Sequence, residues 1–169
     1  QQDTPQADYL TACPRCGGRA WGHGSRPRQG RASGVDRKEY QAHRFFCPQC
    51  KRTFTCLPPD LIPHKQYVAS EIEAALRHVL EGGKASEAPT EAAESTLWRW
   101  VKEFSYKTLE WAGQLEARIF RMAGQIPGFV RDSHPLKRLE TALSRLPPLP
   151  ARWPVMVKAL WWLNKTHPL

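Results

Sequence analysis

Apolar positions change their spacing near Lys65. Before it, aromatic and β-prone residues come in short runs, Arg19 to Gly24, Lys38 to Phe46 and Thr53-Phe54-Thr55, with Trp21, Tyr40, Phe45 and Phe46 among them. These predict three short antiparallel strands. The stretch from Gly24 to Gly34 between the first two is basic and turn-rich, and it predicts a loop or arm. After Lys65 the period becomes helical. Ile72, Ala75, Leu76, Val79 and Leu80 make one stripe, with Ser70 and Glu73 as a capping box and Gly82-Gly83 as the stop. Beyond the break at Ala88-Pro89-Thr90, Leu97, Trp100, Val101 and Phe104 share one helix face, and Ser95, Trp98, Arg99 and Lys102 share the opposite one.

Leu109, Ala112, Leu115, Ile119 and Met122 either prolong that helix or start another after Ser105. Ser133 and Pro135 open a further helix with Leu136, Leu139, Leu143 and Leu146 inside, closed by Pro147-Pro148. A last segment, Trp153 to Asn164, holds Trp153, Trp161 and Trp162, a surplus that reads as core or as a dimer interface. Prolines 58, 59 and 63 make the intervening stretch an extended linker.

The 169 residues carry a net charge of +9 and a pI near 9.6, which favours a polyanionic partner. Residues 1–65 hold 11 Lys/Arg against 5 Asp/Glu, and residues 66–169 hold 14 against 11, so the excess is concentrated in the first third. No apolar run is long enough to span a bilayer. With no charged-then-apolar leader, the expected location is cytoplasmic, on the nucleoid.

Chemistry is concentrated in the cysteines. Cys13-Pro14-Arg15-Cys16 and Cys47-Pro48-Gln49-Cys50 are two CxxC pairs separated by 30 residues. Two such turns present four thiolates to one tetrahedral ion and leave no open position, which predicts one structural Zn2+. A disulfide framework is disfavoured by the odd fifth cysteine, and a redox CxxC by the glycines and arginines around both pairs. Cys56 reads as a small buried side chain, and His23 and His43 are left out of the metal shell. Asp36, Asp60 and Asp132 are scattered in expected loops, and no phosphate loop or HExxH is present, so an enzyme is not expected. The expected fold class is α+β. It comprises a tail (1–12), a small zinc ribbon (13–56), a proline-rich linker (57–69), a helix-turn-helix-like unit (70–107) and a C-terminal helical region (108–169).

The order Cys-Pro-x-Cys-Gly, then Arg44-Phe45-Phe46-Cys47-Pro48-Gln49-Cys50-Lys51-Arg52-Thr53-Phe54, resembles the zinc ribbons that open bacterial insertion-sequence transposases. Leu57 to Tyr67 resembles the joining segment of an uncharacterised bacterial domain family often found near mobile elements. Ser95-Thr96-Leu97-Trp98-Arg99-Trp100 is similar to the start of recognition helices in transposase-type helix-turn-helix units. The resemblance implies double-stranded DNA as partner, read by Ser95, Thr96, Trp98, Arg99 and Lys102. It implies a role in transposition or transcriptional control, with a transposase as a further partner. Arg26, Arg28, Arg31, Arg44 and Arg52 are the expected phosphate contacts. Such transposases continue into a nuclease domain with three carboxylates, and residues after Ser105 offer only Glu110, Glu116, Asp132 and Glu140 in helical patterns. The alternatives are an adaptor docking on a protein through the ribbon and the Trp-rich C-terminal helices, and an RNA binder using Tyr40 and Phe45 for stacking. The C-terminal helices would also be the seat of any homo-oligomer.

Overall fold

The computed structural model describes residues 12–124 and 134–166. A three-stranded antiparallel sheet in the order β1-β2-β3 comprises β1 (Trp21–Ala32), β2 (Val35–Cys47) and β3 (Arg52–Cys56). Four helices follow, α1 (Ala69–Leu80), α2 (Glu94–Ala123), α3 (Pro135–Ser144) and α4 (Val155–Thr166). The architecture is α+β, as expected, and no helix among the described residues is long and apolar enough to cross a membrane.

The basic stretch expected as a loop is instead strand. Arg26, Pro27, Arg28 and Gln29 pair with Ala42, Gln41, Tyr40 and Glu39, and only Ser33-Gly34 turns the hairpin. Asp36, expected in a loop, lies on β2. Glycine and proline misled the reading because β1 is an edge strand, where a proline nitrogen is tolerated and irregularities are absorbed as bulges. Two register shifts, at Gly22/Ser25 and Gly30/Ala32, do this. Gly30 is needed for a close approach, since a Cβ there would come within 2.9 Å of Leu61 and Val68.

That approach ties the linker to the hairpin. The Arg31 N–H donates to the Gln66 carbonyl at 2.8 Å, and the Val68 N–H donates to the Arg31 carbonyl at 2.9 Å. Leu61 and Val68 bridge one another and are buried. At the hairpin tip the buried Glu71 carboxylate accepts from the Ser33 N–H (2.6 Å), the Ser33 hydroxyl (2.9 Å) and the Thr90 hydroxyl (2.7 Å). Glu91 accepts from the Gly34 N–H at 3.0 Å. The tip is thereby held beside the segment that leads into α2.

The expected capping box is not formed. The cap residue is Val68, with no side-chain cap bond, so Glu71 rather than Glu73 stands at the third helical position. Glu73 is used elsewhere. It accepts from Arg77 at 2.9 Å and from the Val155 N–H, at the first turn of α4, at 2.6 Å. Arg77 also pairs with Glu140 on α3. Between α1 and α2 the chain makes a 3-10 turn of three residues, Ala85–Glu87. Gly82-Gly83 before it and Pro89 after it leave too little helix-competent chain.

α2 runs unbroken for 30 residues through Ser105 and ends on left-handed Gly124. Its buried line is Leu97, Trp100, Phe104, Thr108, Ala112, Leu115 and Ile119. Leu109 and Met122, expected inside, are each 58% exposed. Thr108 takes the inner position by donating its hydroxyl to the Phe104 carbonyl at 2.7 Å, which satisfies the polar group in place. α3 starts with His134 as cap and Pro135 in the first turn; Ser133 lies outside the described residues. Leu136, Leu139 and Leu146 join Ile72, Leu76, Leu97, Trp100, Phe104, Leu115, Val155 and Met156 in one core to which the sheet contributes nothing. Trp153 and Trp162 are buried and Trp161 is half-buried, ringed edge to face, so the C-terminal tryptophans are core.

Candidate metal centre and basic face

Each CxxC pair closes a tight turn. In the first, the Gly17 N–H donates to the Cys13 carbonyl at 2.9 Å and the Cys13 N–H to the Gly18 carbonyl at 2.7 Å. In the second, Cys47 pairs with Arg52 at the end of the β2–β3 hairpin. The residue after each second cysteine is left-handed, Gly17 at φ 72° and Lys51 at φ 54°, so both turns carry their sulfurs inward in the same way. A lysine in that region is uncommon and costs about 1 kcal/mol.

The turns face one another. Cys13 Sγ lies 3.7 Å from Cys50 Sγ, and Cys16 Sγ lies 3.5 Å from Cys47 Sγ, with all four sulfurs within 4.8 Å of each other. Zn–S bonds of about 2.3 Å in a tetrahedron put sulfurs about 3.8 Å apart. The separations match that edge and are far beyond a disulfide bond of about 2.05 Å. The donor set also fits electronically. The Cys50 backbone N–H points at Cys47 and lowers its thiol to about 7, whereas burial and the adjoining Cys13 and Cys47 thiols push Cys50 up to about 12. Four thiolates within 4.8 Å of one another would repel, and a cation among them offsets that repulsion. The four cysteines thus form a site that fits one zinc ion, and Cys56, buried on β3 with its thiol pushed up to about 12 by desolvation, stands outside it. His23 and His43 are also outside.

The residues expected at a DNA face are placed as follows. Ser95, Trp98, Arg99 and Lys102 are exposed on the first turns of α2, Trp98 by 53%, and the half-buried Thr96 hydroxyl accepts from Arg99 at 3.4 Å. Arg26, Arg28 and Arg31 are exposed on β1, Arg44 is half-buried on β2, and Arg52 is exposed at the start of β3. The Glu71 and Glu91 bonds bring the β1–β2 tip to the start of α2, so the two groups belong to neighbouring elements. Two exposed cations of β2 were missed, Arg37 and Lys38, which point to opposite faces of the strand. Arg19, also missed, stacks 4.6 Å from the Trp21 ring.

Residues 13–100, just over half of the chain, match a family described as Domain of unknown function (DUF6431). The match takes in the four cysteines, the linker, α1 and the first turns of α2. No curated protein and no solved structure matches the chain.

Proposed function

The chain belongs to the DUF6431 domain family, and from that footing we propose that it is a non-catalytic DNA-binding protein folded around one structural Zn2+. Its place is in transposition or transcriptional control at a mobile element. The observation that carries the reading is the set of cations on the β1–β2 hairpin and on the start of α2, two elements brought together by the bonds at the hairpin tip. Arg26, Arg28, Arg31 and Arg44 make no ion pair with any described residue, and neither do Arg99 and Lys102. Exposed cations without a carboxylate partner are what a phosphate backbone neutralises. Of the acids named above, Glu116 pairs with Arg138, Glu140 pairs with Arg77 and Glu110 accepts from Gln114, while Asp132 lies outside the described residues. The link to mobile elements rests on the resemblance to transposase ribbons.

Mobility-shift titration with duplex DNA tests the reading. The zinc-loaded chain is expected to bind at low salt, with affinity falling steeply as salt rises. The double variant Arg99→Ala/Lys102→Ala is expected to weaken binding about 10-fold, with the salt slope reduced by about 2. No binding, or binding unaltered in the variant, would sink the idea.

One observation favours an adaptor as the second reading. Trp98, Tyr106, Leu109 and Phe120 leave a line of exposed apolar side chains along α2, whereas the C-terminal tryptophans from which the adaptor was first argued are in the core. Capture of a transposase without nucleic acid, lost in Leu109→Glu, would support it.

A further inference from the structure

We propose that the β1–β2 hairpin lies in the major groove of duplex DNA and reads base edges through the side chains of one face, Ser25, Gln29, Arg37, Glu39 and Gln41. This rests on the DNA-binding reading above and adds a reader that α2 does not supply.

The hairpin has strands of 12 and 13 residues, about 40 Å long at 3.3 Å per residue. A two-stranded ribbon of such length is marginal in isolation. Here it is fixed at both ends, by the cysteine turns at Cys47 and by the Glu71 and Gln66 bonds at Arg31 and Ser33. Between the anchors its two faces differ. Side chains paired across the strands share a side, so Arg28 with Tyr40, and Gly30 with Lys38, form one face, and this one meets Leu61 and Val68 of the linker at Gly30. Pro27 with Gln41, and Gln29 with Glu39, form the other, with Ser25 and Arg37 in the same alternation.

That second face is exposed at each of Ser25, Pro27, Gln29, Arg37, Glu39 and Gln41. Apart from the proline it carries amide, guanidinium, hydroxyl and carboxylate groups. These are the groups that discriminate base pairs: glutamine with adenine, arginine with guanine, a carboxylate with the amino group of cytosine. Arg37 donates to the Gln29 side-chain oxygen at 3.4 Å, which orients two of the readers against each other across the ribbon. A major groove about 12 Å wide admits a two-stranded ribbon.

Charge favours the same occupant. From Trp21 to Cys47 the hairpin carries Arg26, Arg28, Arg31, Arg37, Lys38 and Arg44 against Asp36 and Glu39, and none of the six cations is in an ion pair with a described residue. Of these cations Arg37 lies on the reading face, whereas Arg26, Arg28 and Lys38 lie on the opposite one and act through the summed positive field of the ribbon rather than by direct contact. The deep, narrow major groove of an A-form RNA duplex excludes such a ribbon, so the partner is B-form DNA.

The test is selection from a pool of randomised DNA duplexes by the zinc-loaded full chain, repeated with Gln29→Ala/Arg37→Ala/Gln41→Ala. Zinc content and melting of the variant are checked in parallel, and exposed positions are expected to leave both unchanged. The native chain is expected to enrich a short motif. The variant is expected to lose discrimination at two or three base pairs of it, at least 10-fold each, while still binding mixed-sequence DNA within a few-fold. If the motif persists in the variant and disappears in Arg99→Ala/Lys102→Ala, α2 is the reader and the inference is overturned. Duplex binding with no enriched motif overturns it too, leaving the DNA-binding reading in place; binding to no duplex at all removes both.

Discussion

At the residue scale, the cysteine cluster is set by where protons sit before metal enters. Cys50 is held well above the ordinary thiol value by burial and its thiol neighbours, and Cys16 is raised as well, the Gly18 N–H opposing while burial and the Cys47 and Cys13 thiols prevail. Both are thiols at neutral pH, and zinc must displace their protons. Cys47 has the opposite sign. Its value is lowered to about 7, so its thiolate contributes fully above the ordinary thiol value of about 9 and that contribution is lost as pH falls through about 7. Zinc titrated into the metal-free chain should release protons, and the observed enthalpy should vary with the ionisation enthalpy of the buffer. An enthalpy independent of buffer would mean that the sulfurs do not bind as thiolates. Cys16→Ser should lose stoichiometric zinc, whereas Cys56→Ser should keep one ion per chain. The four-cysteine cluster was readable from spacing because both members of a pair are set by four consecutive residues. Arg37 and Lys38 were passed over because nothing local marks which face of a strand is covered.

At the element scale, two acids of α1 show how one residue of register redirects a side chain. Glu73 looks like a capping-box partner for Ser70, but the helix starts at Ala69 and moves it beyond the first turn, where it bonds Arg77 and the α4 backbone. Glu71 takes the third helical position and reaches back to the hairpin tip. Glu71→Ala would leave the Ser33 N–H, the Ser33 hydroxyl and the Thr90 hydroxyl without their acceptor. A loss of about 2–4 kcal/mol is expected in urea unfolding, with faster amide exchange at Ser33 and Gly34. Glu71→Gln should recover part of it, and exchange at the tip unchanged in the alanine variant would refute the clamp. The same dependence on partners explains the hairpin. Gly24 to Gly34 has the composition of a loop, and it is strand because β2 on one side and the Gln66–Val68 backbone on the other supply bonds that its own residues do not encode.

For the whole molecule, the decisive fact is that the large core belongs to the helices alone. The sheet leans on the metal site and on the linker contacts, because so few residues bury too little apolar surface to hold a fold. Removal of zinc by a chelator should therefore abolish amide protection across β1 to β3 while far-UV helical signal and the unfolding transition of the helical core persist. Parallel loss of both would show that the ribbon is an integral part of the helical core. Leu97→Ala should do the reverse, lowering the stability of the helical unit by about 2–5 kcal/mol without altering zinc stoichiometry.

Local chemistry by itself marked out the two cysteine pairs, the change from strand to helix spacing near Lys65 and the helix stops near Gly82 and Pro147, since each depends on a few neighbouring residues and their allowed backbone angles. Periodicity also placed Leu97, Trp100 and Phe104 inside and Trp98, Arg99 and Lys102 outside. Only the tertiary structure decided that the basic stretch is a paired strand, that Thr108 rather than Leu109 is buried, that the tryptophans of α4 are core, and that the hairpin tip meets the start of α2. Apart from Thr108, these turn on partners distant in sequence, such as Gln66 for Arg31 or Glu71 for Ser33, and a carboxylate or an amide does not declare in its own segment which of several distant groups it will satisfy.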